Sequence, residues 1–438
     1  MRFFLDLFMN LDSIYQIFLN HPQVTTDSRA IAEGSLFFAL RGDHFNGNSF
    51  ALNALQLGAS YAVVDEAEFA VDDRILLVDN VLQTLQNLAS LHRQTLKTPV
   101  LAITGTNGKT TTKELVAAVL TQKYRIICTK GNLNNHIGVP LTLLRLKPET
   151  EIAVVEMGAN HPGEIDQLCR IAMPDYGLIT NVGRAHLEGF GSFEGVIQTK
   201  TELYRYLEQH NGTVFINTAN PFLAAQPLKD KKIAYTTVKE TEGLEGVTVS
   251  ADPYLVFKAL FPKGWLYIKT NLAGSYNLEN ALAAATIGQY FDVDPTAIAA
   301  AIENYRPDNN RSQLIVTERN QVLMDAYNAN PSSTRAALEN FAKLNAPKKG
   351  VILGDMLELG PVSHEEHQKI TDYLANLELE TVYLVGPVYA GCHFPSSFLS
   401  FDNSGELTVF LKEQSISGYS LLIKGSRGMK LETILTEL

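Results

Sequence analysis

A glycine-containing segment, "AITGTNGKTTTKE" at residues 102–114, constrains the fold of this 438-residue chain more than any other feature. An apolar stretch, Val100–Thr104, precedes it and a helical pattern follows at residues 111–120. This order is typical of a phosphate-binding loop, in which backbone N–H groups and the positive helix end hold an anion. The usual loop has a glycine where Ile103 stands, so this loop is shortened. The segment predicts a nucleotide site on an α/β sheet.

The remaining chain alternates strand and helix patterns in a way that predicts three domains. Residues 1–98 read as a small α/β N-terminal domain, and residues 99–312 as a central P-loop-type domain with a mostly parallel sheet. Within the central domain, residues 196–207 form one helical pattern, and residues 232–269 alternate like an antiparallel flap. In residues 313–438 strand and helix patterns alternate again, which predicts a C-terminal Rossmann-like α/β domain.

Composition excludes several classes of protein. Apolar residues make up 45% and charged residues 19% of the chain, which is enough apolar material for sizeable globular cores. The net charge of −11 argues against a nucleic-acid partner or an anionic membrane surface, which require a basic face. Cys128, Cys169 and Cys392 lie far apart, so they favour a reducing compartment over a disulfide framework.

The N-terminal segment resembles a leader only in its apolar content. Its apolar residues, from Phe4 to Phe18, recur at helical spacing, and Asp6 and Asp12 interrupt them. This pattern predicts an amphipathic helix packed on the first domain rather than a signal peptide. No apolar run approaches the roughly 20 residues that span a bilayer. We therefore expect a cytoplasmic protein without a membrane anchor.

Polar residues stand where predicted strands end, at the sheet edge where open α/β sheets bind ligands. Six residues share this position: Glu156, Asn181, Asn217, Asp325, Asp355 and Lys424. In the glycine loop, Lys109 is placed to reach phosphates and the Thr110 hydroxyl to bind Mg²⁺. Glu156 is a suitable hard Mg²⁺ ligand, although a solvated carboxylate at a strand end is the alternative.

Several segments carry a resemblance to a known family. They are "GTNGKT" at 105–110, "TKGNLNNHIGVPLTLL" at 129–144, "DAYNANPSS" at 325–333, "LGDMLELG" at 353–360 and "KGSRGMKLE" at 424–432. Together they resemble the Mur ligases, which use ATP to form amide bonds, and the resemblance runs from Thr25 to the C-terminus. It implies ATP and Mg²⁺ as cofactors and a monomeric enzyme. Its branch of the family would join D-Ala-D-Ala to UDP-MurNAc-tripeptide.

The resemblance also implies roles for individual residues. ATP would contact Gly105, Thr106, Asn107, Gly108, Lys109, Thr110, Thr111, Asn277, Asn280, Arg311 and Asp325. The other substrates would contact Ser28, Arg29, Asn134, Asn135, Tyr327, Asn328 and Asn330. Metal ions would be held by Thr110, Glu156, His186 and a carbamylated Lys200, and catalysis would depend on Lys109, Glu156, His186, Lys200 and Arg311. His367 and residues 424–427 are expected to line the cleft.

Some alternatives stay open at this stage. Lys200 could be a surface lysine that pairs with Glu202, His186 a structural hydrogen-bond donor, and the asparagine-rich loop a turn. A sister ligase, which adds the third residue of the peptide or glutamates to folate, would share the nucleotide chemistry. A nucleotide-dependent switch that forms no bond is the alternative from another class. The third residue of the tripeptide, diaminopimelate or lysine, is not determined.

Overall fold

The computed structural model describes residues 8–228, 231–239 and 242–438 of the chain. In these ranges the first sheet is entirely parallel, in the order β1-β2-β5-β6. Its region contains α1 Leu11–Asn20, β1 Val24–Thr25, β2 Leu36–Phe38, β3 Arg41–Gly42, β4 Phe45–Asn46, α2 Ala51–Gln56, β5 Tyr61–Val64, β6 Ile75–Leu77 and α3 Val81–Leu96.

The central sheet has the order β15-β14-β13-β12-β11-β10-β7-β9-β8 and is parallel from β8 to β13, with β13, β14 and β15 antiparallel. Its strands are β7 Val100–Thr104, β8 Ile126–Cys128, β9 Ile152–Glu156, β10 Tyr176–Ile179, β11 Thr213–Asn217, β12 Lys232–Thr236, β13 Leu244–Ala251, β14 Tyr254–Phe261 and β15 Gly264–Ala273. Its helices are α4 Lys109–Leu120, α5 Gly138–Leu143, α6 Glu164–Ala172, α7 Leu187–Phe190, α8 Phe193–Lys200, α9 Glu202–Gln209, α10 Pro221–Ala224, α11 Asn277–Tyr290 and α12 Pro295–Asn304.

The third sheet has the order β16-β17-β21-β18-β19-β20, with β16 antiparallel to β17 and the other pairs parallel. Its elements are β16 Gln313–Val316, β17 Gln321–Asp325, α13 Pro331–Ala342, β18 Lys349–Gly354, α14 Ser363–Leu374, β19 Thr381–Val385, α15 Pro387–Ala390, β20 Leu399–Phe401, α16 Ser404–Glu413 and β21 Ser420–Lys424. Three α/β units with mainly parallel sheets confirm the predicted fold class.

Strand β7 shows how the central sheet is held in place. Leu101 and Ile103 face the core formed with α4 and α11, whereas Val100 and Ala102 face the opposite core. That opposite core also contains Phe18 and residues of the first sheet, and α3 packs against α5 and α6. Residues of α3 and of both sheets belong to this one cluster, so the first region and the central region share one hydrophobic core.

The structure corrects the continuous helix predicted at residues 196–207. Helix α8 ends at Lys200 and α9 begins at Glu202. At the break, the Thr201 hydroxyl donates hydrogen bonds to the carbonyl oxygens of Ile197 and Gln198. Side-chain bonds of this kind bend helices, which the apolar periodicity alone does not reveal. The break places Lys200 at the end of a helix, with its side chain inside the protein.

The predicted N-terminal helix is present, although it begins later than the apolar pattern. Helix α1 runs from Leu11 to Asn20 and buries Ile14, Tyr15 and Phe18. Phe4, at the start of the pattern, lies outside the described residues. None of the helices in the described ranges is both long enough and apolar enough to cross a bilayer.

Candidate active site

The loop between β7 and α4 has room for no side chain at its two glycines. Gly105 has φ +141° and Gly108 has φ +77°, a region that other residues rarely adopt. A Cβ atom on Gly105 would lie 2.0 Å from the Thr180 Oγ1, and one on Gly108 would lie 2.4 Å from the Asn280 Oδ1. The loop therefore keeps its shape only with glycine at both positions, and it leads into the N-terminus of α4, whose first-turn N–H groups can bind an anion.

The residues after β10 brace this loop from the neighbouring strand. The Asn107 N–H donates to the Asn181 Oδ1 at 3.0 Å, and the Asn181 Nδ2 donates back to the Asn107 carbonyl at 3.1 Å. The Thr106 N–H donates to the Asn181 carbonyl. Asn181 was recognised from the sequence only as a polar residue at a strand end. Its bracing role depends on β10 lying beside β7, which the sequence does not state.

A cavity of about 1190 Å³ opens at the carboxyl ends of the central and C-terminal sheets. It is lined by most of the residues singled out from the sequence: Thr106, Asn107, Gly108, Lys109, Thr110, Thr111, Asn134, Asn135, Glu156, His186, Asn277, Asn280, Arg311, Asp325, Tyr327, Asn328 and Asn330. Gly105 and Lys200 are not among the lining residues, and neither are Ser28 and Arg29 of the first region.

Lys109 occupies the phosphate loop itself. Its Nζ donates to the carbonyl oxygens of Gly105 at 2.8 Å and of Thr106 at 3.0 Å. Burial lowers the pKa of Lys109 to about 8, the Glu156 carboxylate opposes this shift, and the positive charge of Arg311 adds to it. Two cations therefore share this end of the cavity with one carboxylate, and a phosphate would reduce the repulsion between them.

Glu156 presents one satisfied and one unsatisfied oxygen. Its side chain is buried, the Asn134 Nδ2 donates to Oε1 at 2.8 Å, and Oε2 has no hydrogen-bond partner among the described residues. The Asn134 side chain lies against Gly158, so close that a Cβ at that position would come within 2.8 Å of its Oδ1. A buried carboxylate oxygen without a partner is costly unless a cation or a proton completes it. Together with the Thr110 hydroxyl on the cavity wall, this oxygen fits a Mg²⁺ ion.

Lys200 is buried, so the alternative of a surface lysine is wrong. Its Nζ donates to the Ala159 carbonyl at 3.1 Å and lies 5.2 Å from the centroid of the Phe190 ring. Burial lowers the pKa of Lys200 well below its ordinary value, and the charge of Lys109 adds to the shift. Glu202, the partner considered from the sequence, instead accepts the N–H groups of Gly163 and Asp166.

His186 reaches across to the C-terminal domain. Its Nδ1 lies 2.5 Å from the Oε2 of Glu358, and this hydrogen bond lowers the pKa of Glu358. Within the described residues, His, Cys, Asp and Glu form no cluster of three or more that could hold a metal ion. Any metal ion in the cavity would therefore depend on ligands from the substrates, as Mg²⁺ commonly does in nucleotide sites.

The opposite wall comes from the linker and the C-terminal domain. Asp325, at the end of β17, accepts the Lys424 Nζ at 2.6 Å and the Ser312 N–H at 3.3 Å. The Arg311 guanidinium carbon lies 3.7 Å from the centroid of the Tyr327 ring. Of the segment 424–427 that was expected to line the cleft, Lys424 lines the cavity and the other three residues do not. Asp325 and Arg311 each face it with hydrogen-bonding capacity left for a ligand.

Several of the predicted asparagines already bond within the protein. The Asn280 Nδ2 donates to the Asn277 Oδ1 at 2.8 Å, and the Asn330 Nδ2 donates to the Asn107 Oδ1 at 2.8 Å. The Asn135 Oδ1 accepts the Gly138 N–H at 2.9 Å, which is turn chemistry at the start of α5. The Asn328 Oδ1 accepts the N–H of the next residue. These amides order the cavity wall, and their contacts with ATP or substrate stay predictions.

Three residues expected near the site lie elsewhere. The prediction that His367 lines the cleft is wrong, because its side chain is fully buried and its Nε2 accepts the Met356 N–H at 2.9 Å. Asp355 accepts the backbone N–H groups of Val388 and Tyr389, so it stabilises the turn after β19. Asn217 does not line the cavity either. A strand-end position thus indicates the correct edge of the sheet but not which side chains are free.

We expect Asn181→Ala to weaken ADP binding roughly ten- to thirtyfold, because two hydrogen bonds that hold Asn107 are lost at about 1 kcal/mol each. Asn181→Asp keeps the acceptor for the Asn107 N–H, so its affinity for ADP should lie between those of the wild type and the Ala variant. Isothermal titration calorimetry with ADP measures both, and the melting temperature shows whether the fold is intact. Equal affinity of the Ala variant and the wild type would contradict the bracing role.

Comparisons with known proteins agree with this geometry. Residues 103–288 match the model for the Mur ligase middle domain, residues 310–393 the model for the Mur ligase, glutamate ligase domain, and residues 22–93 the model for the Mur ligase family, catalytic domain. The chain is 35% identical to the UDP-N-acetylmuramoyl-tripeptide–D-alanyl-D-alanine ligase of Bacillus subtilis, covering 95% of this chain and 92% of that protein. It is 32% identical to the Treponema pallidum enzyme of the same name, with 94% and 92% covered.

Solved structures give the same result. A crystal structure of MurF from Acinetobacter baumannii superposes with a TM-score of 0.84 at 31% identity, covering 95% of this chain and 93% of that one. The structure of MurF ligase from Thermotoga maritima in complex with ADP gives a TM-score of 0.83 at 27% identity, with 96% and 97% covered. Because identity above 30% extends over nearly the whole length, this chain belongs to the Mur ligase family.

Proposed function

We propose that this chain is an ATP-dependent ligase that joins D-alanyl-D-alanine to UDP-N-acetylmuramoyl-tripeptide, with ADP and phosphate as the other products. The observation that carries the proposal is the cavity wall, where Lys109 in the phosphate loop faces the half-satisfied carboxylate of Glu156 beneath a second α/β domain. The proposed substrates are those in the names of the two relatives from Bacillus subtilis and Treponema pallidum. The reaction belongs to cytoplasmic peptidoglycan synthesis. We also propose a monomer, because all the side chains proposed to hold the substrates come from one chain.

The chemistry explains why such a cavity is needed. A carboxylate does not react with an amine at neutral pH, because an oxide ion would have to leave. If a carboxylate oxygen of the tripeptide attacks the γ-phosphorus of ATP, ADP leaves and an acyl phosphate forms. The dipeptide amine then attacks the acyl carbon, loses a proton, and phosphate leaves with the former carboxylate oxygen. The first step brings two anions together, the carboxylate and the triphosphate, and the second develops negative charge on the acyl oxygen. Both steps therefore require cations and the exclusion of water.

The side chains of this chain can supply those cations. Lys109 can exchange its two carbonyl contacts for phosphate oxygens, which satisfy a buried ammonium better. Arg311 lines the cavity close enough to Lys109 for the two charges to interact, a position that suits the γ-phosphate. Asp325, already hydrogen-bonded to Lys424, can accept a ribose hydroxyl. The N–H groups in the first turn of α4 complete the phosphate site.

A divalent cation fits beside the phosphate loop. Glu156 and the Thr110 hydroxyl would hold Mg²⁺, since the Glu156 Oε2 is buried and lacks a partner. When bound, Mg²⁺ neutralises charge on the β- and γ-phosphates. We further propose that His186 and a carbamate on Lys200 hold a second cation. The support for Lys200 is its burial, with the Ala159 carbonyl as its one hydrogen-bond partner in the part of the chain that the structure describes.

The first region is proposed to hold the nucleotide-sugar end of the substrate. Arg29 extends into solvent, with its Nε 2.9 Å from the Asp27 Oδ1, and Ser28 is partly exposed beside it. An exposed guanidinium is a suitable partner for a diphosphate. Asn134, Asn135, Asn328 and Asn330 remain our proposed contacts for the peptide end, since all four line the cavity.

The direct test is phosphate release from MgATP with UDP-MurNAc-tripeptide, with and without D-Ala-D-Ala, while the sugar-nucleotide product is followed by mass. We expect release together with a product heavier by the dipeptide only when both substrates are present. Release that requires a free amino acid instead would assign the chain to a sister branch. Release that needs neither substrate would indicate a nucleotide switch and refute the ligase.

Asn134→Ala should raise the Mg²⁺ concentration needed for half-maximal activity by about ten- to a hundredfold, the usual effect of removing a group that orients a metal ligand. Gly158→Ala should act in the same direction, because its methyl group displaces the Asn134 side chain. Asn376→Ala, which removes an exposed amide bonded to the Asp372 carbonyl in the last turn of α14, is the matched control. A normal Mg²⁺ requirement in both site variants would show that Asn134 does not orient Glu156.

For the carbamate, we expect a ¹³C NMR carbamate signal when the wild-type protein is kept in ¹³C-bicarbonate, and no such signal in Lys200→Arg. The arginine variant should lose at least about 100-fold in turnover, because a guanidinium cannot become an oxygen ligand. Retention of the signal in Lys200→Arg, or wild-type turnover by that variant, would exclude the carbamate.

A further inference from the structure

Two guanidinium groups converge on one aromatic ring at the edge of the cavity. The guanidinium carbon of Arg311 lies 3.7 Å from the centroid of the Tyr327 ring, and that of Arg427 lies 5.3 Å from the same centroid. Tyr327 follows β17 in the C-terminal domain, whereas Arg311 lies in the segment between α12 and β16. The ring therefore joins the C-terminal domain to the residue that faces the phosphate loop.

The backbone around Arg311 is held in an unusual conformation. Asn310 and Ser312, on either side, have φ of +56° and +49°, in the left-handed region that non-glycine residues seldom occupy. Ser312 is fixed by its N–H bond to Asp325 and by a 2.8 Å contact between its hydroxyl and that of Tyr276. Such a conformation persists only where the surroundings determine it, so the Cα of Arg311 has a defined position.

The side chain of Arg311, in contrast, lacks conventional restraints. Its Nε is buried and has no hydrogen-bond partner, and Arg311 forms no salt bridge within the described parts of the chain. The guanidinium is oriented by its close contact with the face of the Tyr327 ring. Stacking on an aromatic face occupies the plane of a guanidinium but leaves its N–H edge free to bind an anion bidentately.

We propose that Tyr327 is a positioning residue that holds the Arg311 guanidinium against its ring, so that the N–H edge faces the terminal phosphate of ATP. This inference rests on the proposed function and replaces the direct substrate contact expected for Tyr327 from the sequence. Because the ring belongs to the C-terminal domain, Arg311 is oriented only while that domain is in place. Docking of the domain and completion of the phosphate site are thereby linked.

The test compares Tyr327→Leu, Tyr327→Phe and Tyr327→Trp in the full-length enzyme. Because an aromatic face stabilises a neighbouring cation, we expect Tyr327→Leu to weaken binding of a non-hydrolysable ATP analogue about tenfold and to lower turnover similarly. ADP, which lacks the terminal phosphate, should bind Tyr327→Leu within about twofold of the wild type, and Phe or Trp should restore most of the loss. In an Arg311→Ala background, Tyr327→Leu should have no further effect.

A matched control is available in the same domain. The Arg335 guanidinium carbon lies 3.3 Å from the Tyr373 ring centroid, and neither residue lines the cavity. Tyr373→Leu should leave the affinities for ADP and for the ATP analogue unchanged. The proposal is overturned if Tyr327→Leu weakens ADP as much as the analogue, if Phe does not restore the loss, or if the Leu effect persists without Arg311. The binding arm needs no turnover, so it tests the stack even if the proposed reaction is wrong.

Discussion

The close approach of backbone to neighbouring side chains at the phosphate loop is the constraint on which the rest of the site depends. Thr180 and Asn280 occupy the space where side chains at Gly105 and Gly108 would lie, so strand β10 and helix α11 press directly on the loop. Asn181 adds hydrogen bonds to both sides of Asn107. A loop fixed in this way holds the N-terminus of α4 in one orientation before any ligand arrives, which avoids the entropic cost of ordering it on binding.

Around this loop the protein keeps charges that it does not fully compensate. Lys109 and Arg311 are cations that share one end of the cavity, and Glu156 has a buried oxygen without a partner. A buried carboxylate oxygen without a partner lowers the free energy of unfolding, and two neighbouring cations repel each other. A triphosphate with its divalent cation would pair all three. The uncompensated charges at the active site therefore reduce the free energy of unfolding, and ligand binding can offset this loss, as it commonly does at strained functional sites.

The C-terminal domain meets the central domain through polar contacts rather than through an extended apolar core. Asn330 bonds to Asn107 of the phosphate loop, the Arg184 N–H donates to the Ser332 hydroxyl, and His186 pairs with Glu358. Polar interfaces of this type are typical of domains that can separate and redock. Each contact lies beside the cavity, so movement of the domain would change the site itself and not only access to it.

The sequence by itself determined the three α/β units, the position of the phosphate loop and the identity of Lys109, Thr110 and Glu156 as a group. Local patterns suffice for these, because hydrophobic periodicity and the glycine spacing act over a few residues. The resemblance to the Mur ligases extended this prediction to Arg311 and Asp325, which are distant along the chain. The break at Thr201 was missed because a hydroxyl bond to the preceding turn leaves the apolar period intact.

Only the tertiary structure decided which polar side chains are free to act. His367 and Asp355 look like functional residues in the sequence, yet their hydrogen bonds are consumed within the C-terminal domain. Asn181 and Tyr327 received no specific role from local patterns, yet one braces the phosphate loop and the other stacks on Arg311. The physical reason is the same in both cases. Whether a polar group binds a ligand or stabilises the fold depends on partners from distant segments, and the packing of the sheets brings those partners together.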